Sequence, residues 1–232
     1  MLLLAFETSA KAASVALMRD DELLGESYQN TGLTHSQTLM VMAEDLLKQC
    51  GFTAQDVTHV AVAAGPGSFT GVRIGVAAAK GFAWGKDIPC YGVSTLHSMA
   101  LGFGAYDGIV CAVMDARRSQ VYNALFSAEK GQLRRLTEDR AISLEELGQE
   151  LEAFQKPIFL VGDGSAVTAR GLQGRPLELV FPASSRMHQR AVGVGMAARI
   201  ASETDPGDAE ALQPNYLRLS QAEREKLEKM QK

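Results

Sequence analysis

The chain has 232 residues, 46% of them hydrophobic and 22% charged, which is typical of a folded globular protein and argues against disorder. Its formal net charge of −4 argues against a wholly basic nucleic-acid-binding surface. Cys50, Cys90 and Cys111 are too widely spaced for a disulfide framework or a Cys-x-x-Cys zinc site, and they favour a reducing compartment. Because no apolar run is long enough for a signal peptide or a membrane span, we expect a cytoplasmic protein.

The first half of the chain is predicted to open with three short strands, after which helices and strands alternate. Thr34 and Gln37 have the spacing of a capping box, and Gly51 is placed to end the helix that they open. Hydrophobic patterning predicts strands at 2–6, 14–18, 22–28, 57–64 and 88–93. The same patterning predicts helices at 34–50, 71–85 and 94–101.

The second half is predicted to repeat this order more faintly. Strands are expected at 109–114, 121–126, 132–137 and 158–161, and helices at 144–154, 165–172 and 189–203. Ser143 is predicted to cap the first of these helices, as Ser94 caps the last helix of the first half. A glycine-rich stretch at 102–108 separates the halves, so we predict domains at 1–104 and 105–217 and a charged tail at 218–232.

A doubled βββαβα order predicts an α/β protein with two tandem mixed sheets flanked by helices. This is the layout of the actin-like ATPase (ribonuclease H-like) superfold, in which two such domains flank a nucleotide cleft. Fold analogy of this kind predicts an architecture and does not by itself predict a function.

The densest motif is Gly65-Pro66-Gly67-Ser68-Phe69-Thr70-Gly71-Val72-Arg73-Ile74-Gly75. A strand, a glycine-rich turn and a helix N-terminus in this order can bind anions, although the motif lacks the Gly-Lys-Ser/Thr of a Walker A loop. Arg73 opposes the helix dipole in the first helical turn, so we predict that it meets a carboxylate or a phosphate. The alternative is a tight turn whose glycines only permit positive φ.

The two helices of the first half carry more apolar surface than a single sheet requires. Helix 34–50 has two apolar stripes, and small residues at Gly71, Gly75 and Ala79 form a flat ridge on helix 71–86. We therefore predict a partner surface on both helices, the alternative being a helix 34–50 that is buried on two sides within the monomer. The predicted interface comprises His35, Leu39, Met42, Leu46, Gly71, Val72, Arg73, Gly75, Val76 and Ala79.

The sequence motifs that are typical of catalytic sites are weak in this chain. Glu7-Thr8-Ser9 stands where an actin-like ATPase carries an Asp-x-Gly phosphate loop, and Asp115 stands in the matching hairpin of the second half. His35 is followed at helical spacing by Leu39, so no two-histidine metal face is predicted. We predict no catalytic or metal site, and the weak candidates for binding a cofactor are Thr8, Asp115, Gly162 and Gly164.

Four segments point to a known family: the run 65–75, Phe6-Glu7-Thr8-Ser9, Gly92-Val93-Ser94-Thr95-Leu96 and Asp115-Ala116-Arg117-Arg118-Ser119-Gln120-Val121-Tyr122. Together they resemble the bacterial TsaB (YeaZ) family closely over residues 1–125 and loosely afterwards. Arg118-Ser119-Gln120 departs from the family's usual Arg-Gly-Glu/Gln, and Pro214-Asn215-Tyr216-Leu217-Arg218 is similar to its C-terminal Tyr-Leu-Arg stretch.

The resemblance implies a non-catalytic paralogue of TsaD, the transferase that makes N6-threonylcarbamoyladenosine at tRNA position 37. TsaD has a two-histidine metal motif, of which Thr34-His35-Ser36-Gln37-Thr38-Leu39 retains one histidine. The implied partners are TsaD, TsaE in a larger complex, and a second copy when the chain is alone, with little direct tRNA contact. ATP or ADP is implied only at the interface shared with TsaD.

Two other classes of protein stay open. Thr8, Asp115 and the turn 162–164 are compatible with an ATP-dependent actin-like kinase or ATPase, although its phosphate-loop glycines are missing. A metalloprotease is the third alternative, because the family has also been filed among glycopeptidases, and it would require bound zinc or iron.

Overall fold

The computed structural model describes residues 1–218, which contain eleven strands and seven helices. The strands are β1 (Leu2–Glu7), β2 (Ala13–Arg19), β3 (Glu22–Gln29), β4 (His59–Gly65), β5 (Cys90–Ser94), β6 (Gly108–Asp115), β7 (Gln120–Glu129), β8 (Gln132–Arg135), β9 (Arg140–Ser143), β10 (Ile158–Val161) and β11 (Leu179–Val180). The helices are α1 (His35–Gln49), α2 (Phe69–Trp84), α3 (Thr95–Leu101), α4 (Leu144–Leu151), α5 (Ser165–Gly171), α6 (Ser184–Met187) and α7 (Ala191–Ala201). Within residues 1–218, no helix is both long and apolar enough to cross a membrane.

Two mixed sheets have the same strand order, which confirms the predicted duplication and the α/β actin-like architecture. The first sheet runs β3-β2-β1-β4-β5, and the second runs β8-β7-β6-β10-β11. In each sheet the central strand pairs antiparallel with the next strand of the chain and parallel with the strand that follows a helix. Two strands were not predicted: β9, which pairs with β7, and the two-residue β11.

The predicted helix caps at Ser94 and Ser143 are confirmed, and the one at Thr34 is not. Ser143 and Glu146 form a full capping box at α4, and the Ser94 hydroxyl accepts a hydrogen bond from the His97 backbone N–H. The capping box predicted at Thr34 is wrong, since its side chain makes no capping hydrogen bond there. The backbone carbonyl of Thr34 instead accepts a hydrogen bond from the Gln37 N–H.

The first sheet is covered on both faces, as the alternation along β1 shows. Leu4 and Phe6 pack with α1 and α2 on one face, whereas Leu3 and Ala5 pack with α7 on the other. Successive strand residues point to opposite faces, so α1 and α2 lie on the side of the sheet opposite α7.

The predicted division at residue 104 does not describe how the helices pack. Helix α3 precedes the division, yet Leu96 and Ala100 join the core of the second sheet. Helix α7 follows the division, yet Val194 and Ala198 join the core of the first sheet. The reason is that an apolar helix stripe predicts burial but does not specify the sheet that buries it, and the boundary at residue 104 stays a prediction.

Residues 205–218, which we call the C-terminal strap, return to the first half and lie beside α2. Leu212 is buried in the core of the first sheet, and the Asn215 N–H donates to the Ala64 carbonyl at 2.6 Å. Lys80 of α2 donates to the carbonyls of Glu210 and Leu212, each at 3.0 Å. The strap therefore packs on the first half, and its last residue, Arg218, donates to the Ala116 carbonyl of the second half at 2.6 Å. Most of the predicted charged tail, 219–232, lies outside the described residues.

Candidate partner surface and interdomain cleft

The predicted interface residues of α1 lie inside the chain's own core. Leu39, Met42 and Leu46 are each 5% exposed or less, and they pack against the first sheet with Ala43 and Leu47. The alternative prediction, a helix buried on two sides within the monomer, therefore holds for these five residues, whereas Met40 of the second apolar stripe is 44% exposed. Leu39, Met42 and Leu46 cannot form a partner surface, because a helix lying low on a twisted sheet buries a wide arc of its circumference.

His35, at the start of α1, is half-buried and tied to the same half of the molecule. Its Nε2 lies 2.8 Å from the Ala10 carbonyl oxygen, a contact in which the ring nitrogen donates. The predicted interface role of His35 therefore competes with an internal hydrogen bond.

The small-residue ridge of α2 also faces inward, and its glycines are explained by Thr8. A Cβ atom at Gly71 would lie 2.1 Å from the Thr8 carbonyl oxygen, and one at Gly75 would lie 2.4 Å from Thr8 Oγ1. The Thr8 hydroxyl donates to the Gly71 carbonyl at 2.8 Å. The ridge lets α2 approach the end of β1, and the prediction that it accepts a partner helix is wrong. The other predicted α2 residues that are buried in the same core are Val72, Val76 and Ala79.

Arg73 is exposed, but its guanidinium is engaged by aromatic side chains. Its Cζ lies 3.9 Å from the centroid of the Phe69 ring, and its Nε donates to the Tyr216 hydroxyl at 2.7 Å. Phe69 and Tyr216 also stack on each other with centroids 4.7 Å apart. Within residues 1–218 two rings, one of them supplied by the C-terminal strap, take the place of the predicted carboxylate, and the predicted phosphate contact stays a prediction.

A different set of residues faces outward from the same two helices, and we call it the helix-pair surface: Met40 and Val41 of α1 with Ala77, Gly81 and Trp84 of α2. The side chains of Met40, Val41 and Trp84 are 44%, 56% and 82% exposed. Ala77 and Gly81 are exposed as well. None of these five residues is charged, whereas the exposed Glu44 and Asp45 lie one helical turn further along α1.

A cleft of about 680 Å³ lies between the two halves, lined by the glycine-rich loop, the β6–β7 turn and the strap. The weak cofactor candidates near it have internal roles. Asp115 Oδ1 accepts a hydrogen bond from the Arg117 N–H at 2.7 Å, which makes it a turn-forming aspartate. A Cβ atom at Gly162 would lie 2.1 Å from the Val113 carbonyl oxygen, and one at Gly164 would lie within 3 Å of the Met114 backbone.

Glu7 is a candidate functional residue that is absent from the site residues predicted from the sequence. Its side chain is fully enclosed at the end of β1; Oε1 accepts from the Ser9 N–H at 2.6 Å, and Oε2 has no partner among residues 1–218. Burial raises the pKa of this carboxyl to about 7, with a further contribution from the Asp163 carboxylate. Glu7 is therefore able to change its charge near neutral pH. No local signal could reveal this, because its enclosure comes from distant parts of the chain.

Comparison with known proteins identifies the family of the chain. The family model described as "TsaD: tRNA N6-adenosine threonylcarbamoyltransferase" matches residues 29–225. The chain is 32% identical to the tRNA threonylcarbamoyladenosine biosynthesis protein TsaB of Bacillus subtilis over 96% of each chain. It is also 32% identical to the Escherichia coli TsaB over 94% of this chain and 95% of the other. The solved structure of YeaZ from Pseudomonas aeruginosa matches with a TM-score of 0.78 at 29% identity, covering 93% of this chain and 99% of that one. The chain therefore belongs to the TsaB (YeaZ) family.

Proposed function

We propose that the chain acts in tRNA N6-threonylcarbamoyladenosine biosynthesis as a non-catalytic subunit that binds and supports TsaD. The pathway is supported by the names of the B. subtilis and E. coli relatives, and the partner by the match to the TsaD family model. The binding site in this proposal is the helix-pair surface, which replaces the buried residues predicted from the sequence.

Gly81 is the observation that carries this proposal. It lies inside α2, where glycine costs about 1 kcal/mol relative to alanine. A Cβ atom at Gly81 would meet nothing within 4 Å, so packing within residues 1–218 gives no reason for glycine here. A helix of a partner that packs closely against α2 would supply one, beside the exposed Met40 and Trp84.

The rest of the assembly follows from the same surface. When TsaD is absent, a second copy of the chain would occupy the helix-pair surface and form a homodimer. TsaE would join the complex of the two paralogues. Most tRNA contact would fall to the partners of this net −4 chain, and ATP or ADP would bind only at the interface shared with TsaD. The assembly would operate in the cytoplasm.

The test is co-purification with TsaD after a charge is placed on the helix-pair surface. Ala77→Asp and Val41→Asp put a carboxylate among the apolar residues of this surface, and burying it at the centre of an interface should abolish co-purification and tRNA modification. Ala166→Asp on α5 is the matched control, since it changes an exposed helical alanine in the other half. It should bind TsaD normally.

Retention of TsaD by both variants would refute the assignment of the surface. Melting temperatures near that of the unmodified chain would show that the variants fold. Charged substitutions of Met42 or Val76 are unsuitable here, because both side chains are buried in the monomer and their replacement would unfold it.

An ATP-dependent kinase or ATPase is the alternative function, and the cleft of about 680 Å³ is the observation that favours it. Calorimetry of the isolated chain with Mg²⁺ and ATP separates the two proposals. Micromolar binding or turnover would support the alternative, whereas the subunit proposal expects neither without TsaD.

A further inference from the structure

A second cavity, of about 350 Å³, lies between α3 and α7 at the edge of the first sheet, and we call it the α3–α7 hollow. Apolar side chains line it: Met99 and Phe103 from the α3 side and Val192 and Met196 from α7. It lies on the α7 face of the first sheet, opposite α1 and α2. It is therefore separate from the helix-pair surface.

The cavity lies beside a point where helices α3 and α7 pack closely. A Cβ atom at Gly193 would lie 2.2 Å from the Ser98 carbonyl oxygen, so the α3 and α7 backbones touch there. Gly193 and Gly102 both border the hollow and contribute no side chain to fill it. The methionines that line it are flexible and polarizable, so they adapt to ligands of different shape.

The mouth of the hollow has excess positive charge. Its one carboxylate, Glu26, accepts two hydrogen bonds from Arg190 and one from the Val192 N–H, so its charge is neutralised. Arg186 and His188 stand at the same mouth. Within residues 1–218, the Arg186 side chain has no hydrogen-bond or ion-pair partner, whereas His188 interacts electrostatically with the Asp163 carboxylate.

We propose that the α3–α7 hollow binds a small organic anion, a carboxylate or phosphate carried on a short apolar body. The apolar part would lie against Met99 and Met196, and the anionic head would meet Arg186 at the mouth. The volume lies within the range of small-molecule pockets, which combine apolar walls with a few polar groups that fix orientation. Guanidinium groups suit both head groups, because their donors match two anion oxygens at once.

The test uses hexanoate and hexyl phosphate as probes and the methionine methyl groups as reporters. In a protein labelled with ¹³C at the methionine methyls, either probe should shift the signals of Met99 and Met196 and leave that of Met40 on α1 unchanged. Arg186→Glu should weaken binding about tenfold or more, the loss of one charge-assisted contact. Arg134→Glu is the matched control, because Arg134 is an exposed arginine on β8, outside the hollow, and it should bind like the unmodified chain.

Uncharged and cationic ligands and two protein variants provide results that can contradict the proposal. Hexanol and hexylammonium have the same apolar body without the negative charge, so shifts of equal size with either would overturn the anion assignment. Unchanged affinity in Arg186→Glu would do the same. Met196→Trp fills the hollow and should abolish the shifts of Met99, with folding checked by the melting temperature; persistent binding would place the ligand elsewhere.

Discussion

Glu7 shows at the scale of one residue how enclosure changes chemistry. One carboxylate oxygen receives the Ser9 N–H and the other is buried without a partner among residues 1–218, so the neutral acid is favoured over the carboxylate. Its pKa of about 7 in the folded chain compares with 4.5 for an unperturbed glutamate. At a pH between these two pKa values, Glu7 is protonated in the folded state and ionised in the unfolded state.

The sign of the pH dependence follows from this difference. Raising the pH from 4.5 to about 7 favours the unfolded state, so the contribution of Glu7 to stability falls across this window and stays low above it. Glu7→Gln keeps an oxygen for the Ser9 N–H and removes the ionisation. We expect the variant to be more stable than the unmodified chain at pH 8 by roughly 1–3 kcal/mol, and the gain to vanish near pH 4.5.

Urea unfolding at a series of pH values measures this effect. Glu22→Gln provides the control, since Glu22 is exposed at the start of β3 and its substitution should not change the pH profile. Parallel profiles for Glu7→Gln and the unmodified chain would show that the Glu7 carboxyl titrates normally.

Arg73 makes the complementary point at the same scale. The helix dipole at the start of α2 opposes its charge, and on this ground the sequence predicts a carboxylate or phosphate partner. The partner is the Phe69 ring together with the hydroxyl of Tyr216, a residue 143 positions away in the chain. Local sequence could indicate the need for a contact but could not identify which residue makes it.

At the scale of an element, α2 has two faces whose glycines have opposite meanings. Gly75 is buried against Thr8 and Val62, so a methyl group there must displace atoms of Thr8, which follows β1, or of Val62 on β4. Gly81 is exposed, with open space where its Cβ would be. The glycines look alike in sequence, and only their surroundings distinguish an internal packing requirement from an external one.

A matched pair of alanine substitutions tests this difference. Gly75→Ala should destabilise the chain by about 1–3 kcal/mol, because it overpacks the contact with Thr8. Gly81→Ala should stabilise the isolated chain by about 1 kcal/mol, because alanine is the better helix former and meets no obstacle. Thermal and urea unfolding of the two variants measure both values. Equal effects of the same sign would contradict the assignment of the two faces.

At the scale of the whole molecule, each half contributes a helix to the core of the other half's sheet. Helix α3 packs on the second sheet and α7 on the first, and Arg190 pairs with Glu26 of β3 just before α7 begins. The Ala191 N–H also donates to the Ser14 hydroxyl at 2.8 Å. Neither sheet is therefore completed by the stretch of chain that forms its strands.

This exchange predicts that residues 1–104 do not fold alone. Without α7, the face of the first sheet formed by Leu3, Ala5 and Ala16 would be left in water, so we expect a fragment with poor amide dispersion in NMR and no cooperative melting. Joining residues 188–218 to this fragment through a glycine-serine linker should restore cooperative unfolding. A fragment 1–104 that melts cooperatively near the temperature of the full chain would contradict the prediction.

The sequence by itself determined the order and type of most elements, the duplication and the family resemblance, because these depend on periodicity, capping and contiguous motifs. It did not determine the outward face of α1 and α2. Leu39 and Met42 look like surplus apolar residues in the sequence, but the sheet buries them, while Val41 and Gly81 remain outside. The reach of α7, the strap on Arg73 and the pKa of Glu7 also needed the tertiary structure, because burial and electrostatics depend on residues that are distant in the chain.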